Sequence, residues 1–164
     1  MCYNTSENKN KFFKRKENHK YQHKKHMREK SCGTVTFTRA DGEIKYLLTK
    51  TDYGVYGFAK GHVEERESER QTAVRETWEE TSVTPKIVGG FRKTIQYKLK
   101  NGNEKTVVFF LGDFGTQHPC HNDGFENMTY AIVPYEEALE LLTFDNTKRI
   151  LKSAHAFLTK KEEK

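Results

Sequence analysis

The chain has 164 residues, enough for one domain with a core of ordinary size, and its composition is 34% hydrophobic and 32% charged. The formal net charge of +6 is unevenly placed: residues 1–30 hold ten Lys/Arg against three Asp/Glu, whereas residues 31–164 hold nineteen against twenty. No apolar run approaches the ~18 residues of a membrane span, the N-terminus lacks the apolar stretch of a secretory signal, and three cysteines without CxxC spacing fit a reducing cytosol better than a disulfide scaffold.

Residues 1–30 form a basic tail almost empty of aliphatic side chains, expected to stay disordered because it cannot bury enough apolar surface to offset its ordering entropy. It is either a solvated extension or an electrostatic arm for RNA, with Phe12, Phe13 and Tyr21 available to stack on bases. The domain is then residues 31–164. Thr34–Thr38 and Ile44–Thr49 alternate apolar and polar residues across Asp41-Gly42, which predicts a β-hairpin. The Gly/aromatic stretch YGVYGFAKGH leads to a helix: Ser68-x-x-Gln71 is a capping box, so the helix runs from near Glu69 to about Thr81, with Pro85 beyond its exit. Ile87–Leu99 and Thr106–Phe114 are strands joined by a turn at Asn101-Gly102.

A loop containing His118–Phe125 follows. His118-Pro-Cys-His121 within it is read as incidental ligand-type residues rather than a metal site, because it stands alone. A short strand near Thr129–Val133 precedes two amphipathic helices, Glu136–Leu142 and Thr147–Leu158. The expected architecture is α+β, a mixed sheet with helices packed on it in two or three layers. A cytoplasmic protein is expected, with nuclear entry through the basic tail open, acting as a monomer or weak dimer and needing no membrane.

The helix carries Arg75–Thr81, RETWEET, which places Glu76, Glu79 and Glu80 together although like charges three and four residues apart repel. Assigning 100° per residue puts Ala73, Val74, Thr77, Trp78 and Thr81 on a sector suited to burial and the three glutamates on the adjoining one. Such a carboxylate face suits hard cations, Mg²⁺ or Mn²⁺, which bridge oxygen ligands to substrate phosphates. A solvated acidic face is the plainer alternative.

Reading outward gives Gly61, five residues, Glu67, seven residues, then Arg75-Glu76-x-x-Glu79-Glu80-x-Ser82-Val83. This resembles the Nudix box GX5EX7REUXEEXGU, with six of seven fixed positions matched. The departures are Ser82 at the last glycine and Thr77 at the first bulky apolar position. Ser82 lacks the freedom best suited to a left-handed helix exit, and Thr77 is expected to weaken packing under the helix.

The resemblance implies a Nudix-type α/β/α sandwich in which Glu76, Glu79, Glu80 and the Gly61 carbonyl hold Mg²⁺ or Mn²⁺ and Glu67 pairs with Arg75. The substrates it implies are nucleoside diphosphates linked to another group. From about Ser31 to Leu158 the chain is similar to the asymmetrical diadenosine tetraphosphate hydrolases. The likeness includes Cys32-Gly33, Lys60-Gly61-His62-Val63-Glu64, Gly90-Phe91, Tyr97 ahead of Lys105-Thr106-Val107-Val108, and Glu136-Glu137-Ala138. That branch implies Glu126 as an assistant to metal and water and Tyr97 and Tyr130 as base-stacking rings. Lys60, directly before Gly61, is placed to contact phosphate, and His62 either contacts phosphate or water or orders the loop. Ala59 replaces the usual proline before Lys-Gly-His, so the loop carrying Lys60 is expected to be less rigid.

A metal-dependent pyrophosphohydrolase of dinucleoside polyphosphates is the leading expectation, with a nucleotide as its small-molecule partner. An RNA 5′-end pyrophosphohydrolase or decapping enzyme draws support from the basic tail. A non-catalytic nucleotide- or RNA-binding module is disfavoured by three intact, mutually repelling glutamates.

Overall fold

A computed structural model describes residues 27–120 and 129–160. In chain order the elements are β1 (Arg28–Thr38), β2 (Lys45–Lys50), β3 (Tyr56–Gly57), β4 (Lys60–His62), α1 (Glu69–Thr81), β5 (Lys86–Lys98), β6 (Glu104–Asp113), β7 (Thr129–Pro134), α2 (Tyr135–Leu141) and α3 (Asp145–Lys160). The strands join in one mixed sheet of order β3-β2-β1-β6-β5, with β4 paired to β1 and β7 paired to β2. The α+β class and the α/β/α layering expected from the sequence are both present.

Strand parity sorts the layers, because successive side chains point to opposite faces. The odd-numbered Val35, Phe37, Val107, Phe109 and Leu111 pack with Ala138, Ile150, Leu151, Ala154 and Leu158 of α2 and α3. The even-numbered Cys32, Val108 and Phe110 meet Ala73 of α1 on the opposite face. The central β1–β6 ladder is parallel, from Arg28↔Glu104 to Phe37↔Asp113, so β1 is buried on both sides and reads as a nearly continuous buried run.

Two expectations change here. β1 begins at Arg28, so residues 28–30 belong to the sheet rather than to the tail. Their charges misled because they are partnered where β1 begins: Lys30 Nζ lies 2.7 Å from Glu69 Oε1 and Arg28 Nε 3.8 Å from Glu104 Oε2. The rest of the tail, residues 1–26, lies outside the described residues.

The orientation of α1 also differs. Thr72, Ala73, Thr77 and Thr81 are buried, Val74 is only half-buried and Trp78 is 44% exposed. On a helical projection the buried arc is centred near Glu80, about a quarter turn from the sector that apolar content favours. Trp78 and Val74 instead line an open groove of about 660 Å³ with Arg70, Gln71 and Thr84.

Polar contacts line the buried side. Thr77 Oγ1 lies 2.6 Å from Thr34 Oγ1, which lies 2.6 Å from Thr36 Oγ1. Thr77 and Thr81 also donate their hydroxyls to the carbonyls of Ala73 and Thr77, at 2.8 and 2.6 Å. A chain of satisfied hydroxyls thus joins α1 to β1, so Thr77 does not leave a packing defect where the box has an apolar residue. Ser82 takes the left-handed conformation, φ 58° and ψ 13°, and its N–H donates to the Trp78 carbonyl at 2.7 Å. The turn has the shape glycine would give it, made by a residue with a Cβ. No helix among the described residues is long and apolar enough to cross a membrane.

Candidate active site

The site forms where β4 crosses the end of β1 and meets α1. Antiparallel pairing sets Gly61 opposite Cys32 and Lys60 opposite Gly33. Close approach requires glycine at position 33, where a Cβ would lie 2.1 Å from the Ala59 carbonyl oxygen, whereas a Cβ on Gly61 would lie 2.1 Å from the movable Glu76 carboxylate and displace it. The Ala59 carbonyl also accepts the Thr34 N–H at 3.3 Å, which ties the segment before Lys60 to β1 without a proline.

Arg75 answers much of the repulsion within RETWEET. Its Nε and Nη2 donate to Glu67 Oε1 and Oε2 at 2.7 and 2.9 Å, a two-pronged fork that fixes one geometry. Its Nη1 donates to Glu76 Oε1 at 2.8 Å and Glu79 Oε2 at 3.1 Å, and Nη2 also donates to the His62 carbonyl at 3.0 Å. The Arg75 fork, helped by the Thr72 hydroxyl, lowers the Glu67 pKa to about 2. One guanidinium therefore binds the loop, β4 and two of the three helix glutamates.

Glu80 is treated differently. Its Oε1 accepts the Lys60 N–H at 3.1 Å, while Oε2 is buried with no hydrogen-bond partner of normal geometry, the Thr49 hydroxyl being near enough only to pull the Glu80 pKa down slightly. Burial, with a smaller push from the Glu76 charge, raises its pKa to about 7 against the pull of the Lys60 amide and ammonium. Burial likewise raises the Glu76 pKa, with Arg75 opposing. In both, desolvation of the charged form outweighs the positive charge beside it.

Glu76, Glu79 and Glu80 line a cleft of about 480 Å³ with Lys60, Gly61, His62 and Lys105. An all-oxygen set in which one buried carboxylate oxygen has no partner, beside a glycine that keeps room for a carboxylate, fits a hard divalent cation. Among the described residues no three acidic, histidine or cysteine side chains already converge as a closed metal cage. Arg75 keeps Glu76 and Glu79 turned toward itself.

Lys105 was not singled out from the sequence. It sits on β6 opposite Tyr97 and beside Glu29, its Nζ is 3.3 Å from His62 Nε2, and burial with the nearby Lys60 charge lowers its pKa. The signal that could have found it is parity: Lys105 precedes the alternating strand Thr106–Phe114 on the same face as Val107. His62 Nε2 also lies 3.2 Å from Glu29 Oε2.

Neither expected stacking ring lines this cleft. Tyr97 is 36% and Tyr130 42% exposed, which places both outside the core. Tyr97 borders a separate groove of about 210 Å³ on the β5–β6 hairpin, and Tyr130 pairs with Thr49 across β2 and β7. Strands β2, β1 and β6 intervene between their two strands, so the structure does not bring them together as a clamp. Glu126 lies outside the described residues, as does His121. Cys120 of the suspected ligand cluster donates its N–H to the Thr81 carbonyl at 3.0 Å, a contact that ties the loop to the end of α1.

Comparison with known proteins bears on the family and the fold. The family model for the NUDIX domain matches residues 27–154. A protein of Sus scrofa named bis(5′-nucleosyl)-tetraphosphatase [asymmetrical] is 32% identical over 143 residues, spanning 80% of this chain and 97% of its own length. The Mus musculus protein of the same name is 30% identical over the same shares. Among solved structures, a binary complex of a C. elegans Ap4A hydrolase superposes with a TM-score of 0.71 at 27% identity, covering 80% of this chain and 98% of that one. The NUDIX domain of Shewanella oneidensis NrtR, solved with ADP ribose, superposes at 0.65 with 21% identity over 80% of this chain and 89% of that one, a likeness of fold alone.

Proposed function

This chain belongs to the Nudix family and is a hydrolase of phosphoanhydride bonds, and from that premise we propose that it cleaves dinucleoside polyphosphates of the diadenosine tetraphosphate class, releasing two nucleotides. The observation that carries this reading is the extent of the match: relatives named for that activity align over 97% of their length, so the likeness spans the whole domain rather than the glutamate motif alone.

Glu76, Glu79, Glu80 and the Gly61 carbonyl would hold Mg²⁺ or Mn²⁺. When bound there, such an ion supplies charge neutralisation at the phosphate and a lowered pKa for an attacking water. The chain's own residues do the rest. Lys60 and Lys105, on opposite flanks of β1, attract the polyphosphate and hold its non-bridging oxygens. Arg75 and Glu67 keep the loop, β4 and α1 in register, so that the carboxylates and lysines face one another across the cleft at fixed separation. Glu126 would assist the water, His62 would contact phosphate, and Tyr97 and Tyr130 would each stack on a base as separate platforms.

A substrate panel in Mg²⁺, separated by chromatography, tests the reading: diadenosine tetraphosphate, capped RNA, 5′-triphosphate RNA, ADP-ribose and diphosphoinositol phosphates. Diadenosine tetraphosphate is expected to be turned over fastest. Exclusive turnover of capped RNA would overturn the proposal and point instead to the basic tail as an RNA arm.

A further inference from the structure

Ser31 lies on β1 between two of the groups just described, directly opposite His62 on β4 and Val107 on β6. By strand parity its side chain shares a face with Glu29, Lys105 and Val107. It is 1% exposed, it lines the same 480 Å³ cleft as the glutamates, and its Oγ has no hydrogen-bond partner. A buried hydroxyl without a partner costs free energy and is rare in folded proteins. The neighbouring buried threonines make the contrast sharp, since Thr34, Thr36 and Thr77 all hydrogen-bond through their hydroxyls. Lys105 on β6 and His62 on β4 meet across β1 at 3.3 Å, at the level of Ser31. The Ser31 hydroxyl sits on the strand between them, in the lining of the same cleft.

We propose that Ser31 is a substrate-binding residue whose Oγ donates a hydrogen bond to a non-bridging phosphate oxygen seated between Lys105 and His62. This rests on the phosphoanhydride reading of the cleft but not on which nucleotide the substrate carries. A hydroxyl serving only to fill space makes the same prediction for the stability of the free protein but the opposite one for affinity, because its removal leaves the ligand untouched.

The test is calorimetric titration of the full chain with inorganic tripolyphosphate in Mg²⁺, for the wild type, Ser31→Ala and Ser31→Cys, beside thermal unfolding of each free protein. Affinity is expected to fall roughly tenfold or more in both variants, as for a lost hydrogen bond to a charged group, while the Tm of the free Ser31→Ala protein holds or rises. Ser31→Cys keeps the volume with a weak donor, so it reads the same contact should the alanine variant fold poorly. Affinity within about twofold of the wild type in a folded variant overturns the proposal, and so does a wild type that fails to bind tripolyphosphate. Turnover of diadenosine tetraphosphate by the wild type is read separately: its absence, with Ser31-dependent tripolyphosphate binding intact, defeats the substrate reading and leaves the role of Ser31 standing.

Discussion

The two polar surfaces of α1 are built from similar material and end in opposite states. On the side facing β1, Thr77 and Thr81 are fully buried and their hydroxyls are bonded at 2.6 to 2.8 Å. On the side facing the cleft, Glu76 and Glu79 share one guanidinium and Glu80 keeps a buried oxygen with no partner. Buried polar groups satisfied within the chain are structural and need nothing further. Those satisfied only in part, and open to a cleft, have room for a ligand to complete them.

This contrast can be broken in graded steps. The largest effect is expected at the carboxylates: Glu79→Gln or Glu80→Gln should lower kcat by several orders of magnitude with the fold intact, checked by steady-state kinetics beside circular dichroism. Near-normal activity in both would remove the metal-holding role from the cleft. Next is Gly61→Ala. The added Cβ meets only the flexible end of Glu76, so Tm should change little while the displaced carboxylate lowers kcat about 10²-fold, the scale of an ångström-sized misplacement. Equal losses of Tm and activity would mean the backbone, not Glu76, gave way.

The threonine side should answer in stability instead. Thr77→Val removes one bonded hydroxyl from the buried chain and should cost about 1–2 kcal/mol in denaturant unfolding with kcat nearly unchanged. A large loss of activity at constant stability would show that the two sides are not separable. Smallest is Ser82→Gly, which relieves a side chain held at φ 58° and should raise stability by about 1 kcal/mol, read as a shift of the unfolding midpoint. A loss of stability there would mean that the serine side chain makes up for its strained backbone.

Much of this was legible in the residues. The capping box places the start of α1 at Glu69 because Ser68 and Gln71 satisfy each other's backbone donors, and both hairpins follow from Asp41-Gly42 and Asn101-Gly102, where the glycines adopt φ of 85° and 88°. The glutamate spacing against Gly61 and Glu67 identifies the family on its own. β3 and β4 were not legible, since strands of two and three residues carry no periodicity and exist only by pairing with β2 and β1. Arg28–Lys30 read as tail because charge is visible in a sequence whereas Glu69 and Glu104 as partners are not.

The sequence by itself determined the order of the longer elements, the carboxylate motif and the class of chemistry, because these depend on patterns within short stretches of chain. Only the tertiary structure decided which way α1 faces. Apolar content favoured burying Trp78, whereas the structure buries Thr72 and leaves Trp78 44% exposed, with Thr77 bonded to Thr34 across 43 residues of sequence. That orientation leaves one carboxylate oxygen of Glu80 inside the protein without a partner. A bond between distant residues can set such an orientation, and a local hydrophobic pattern cannot foresee it.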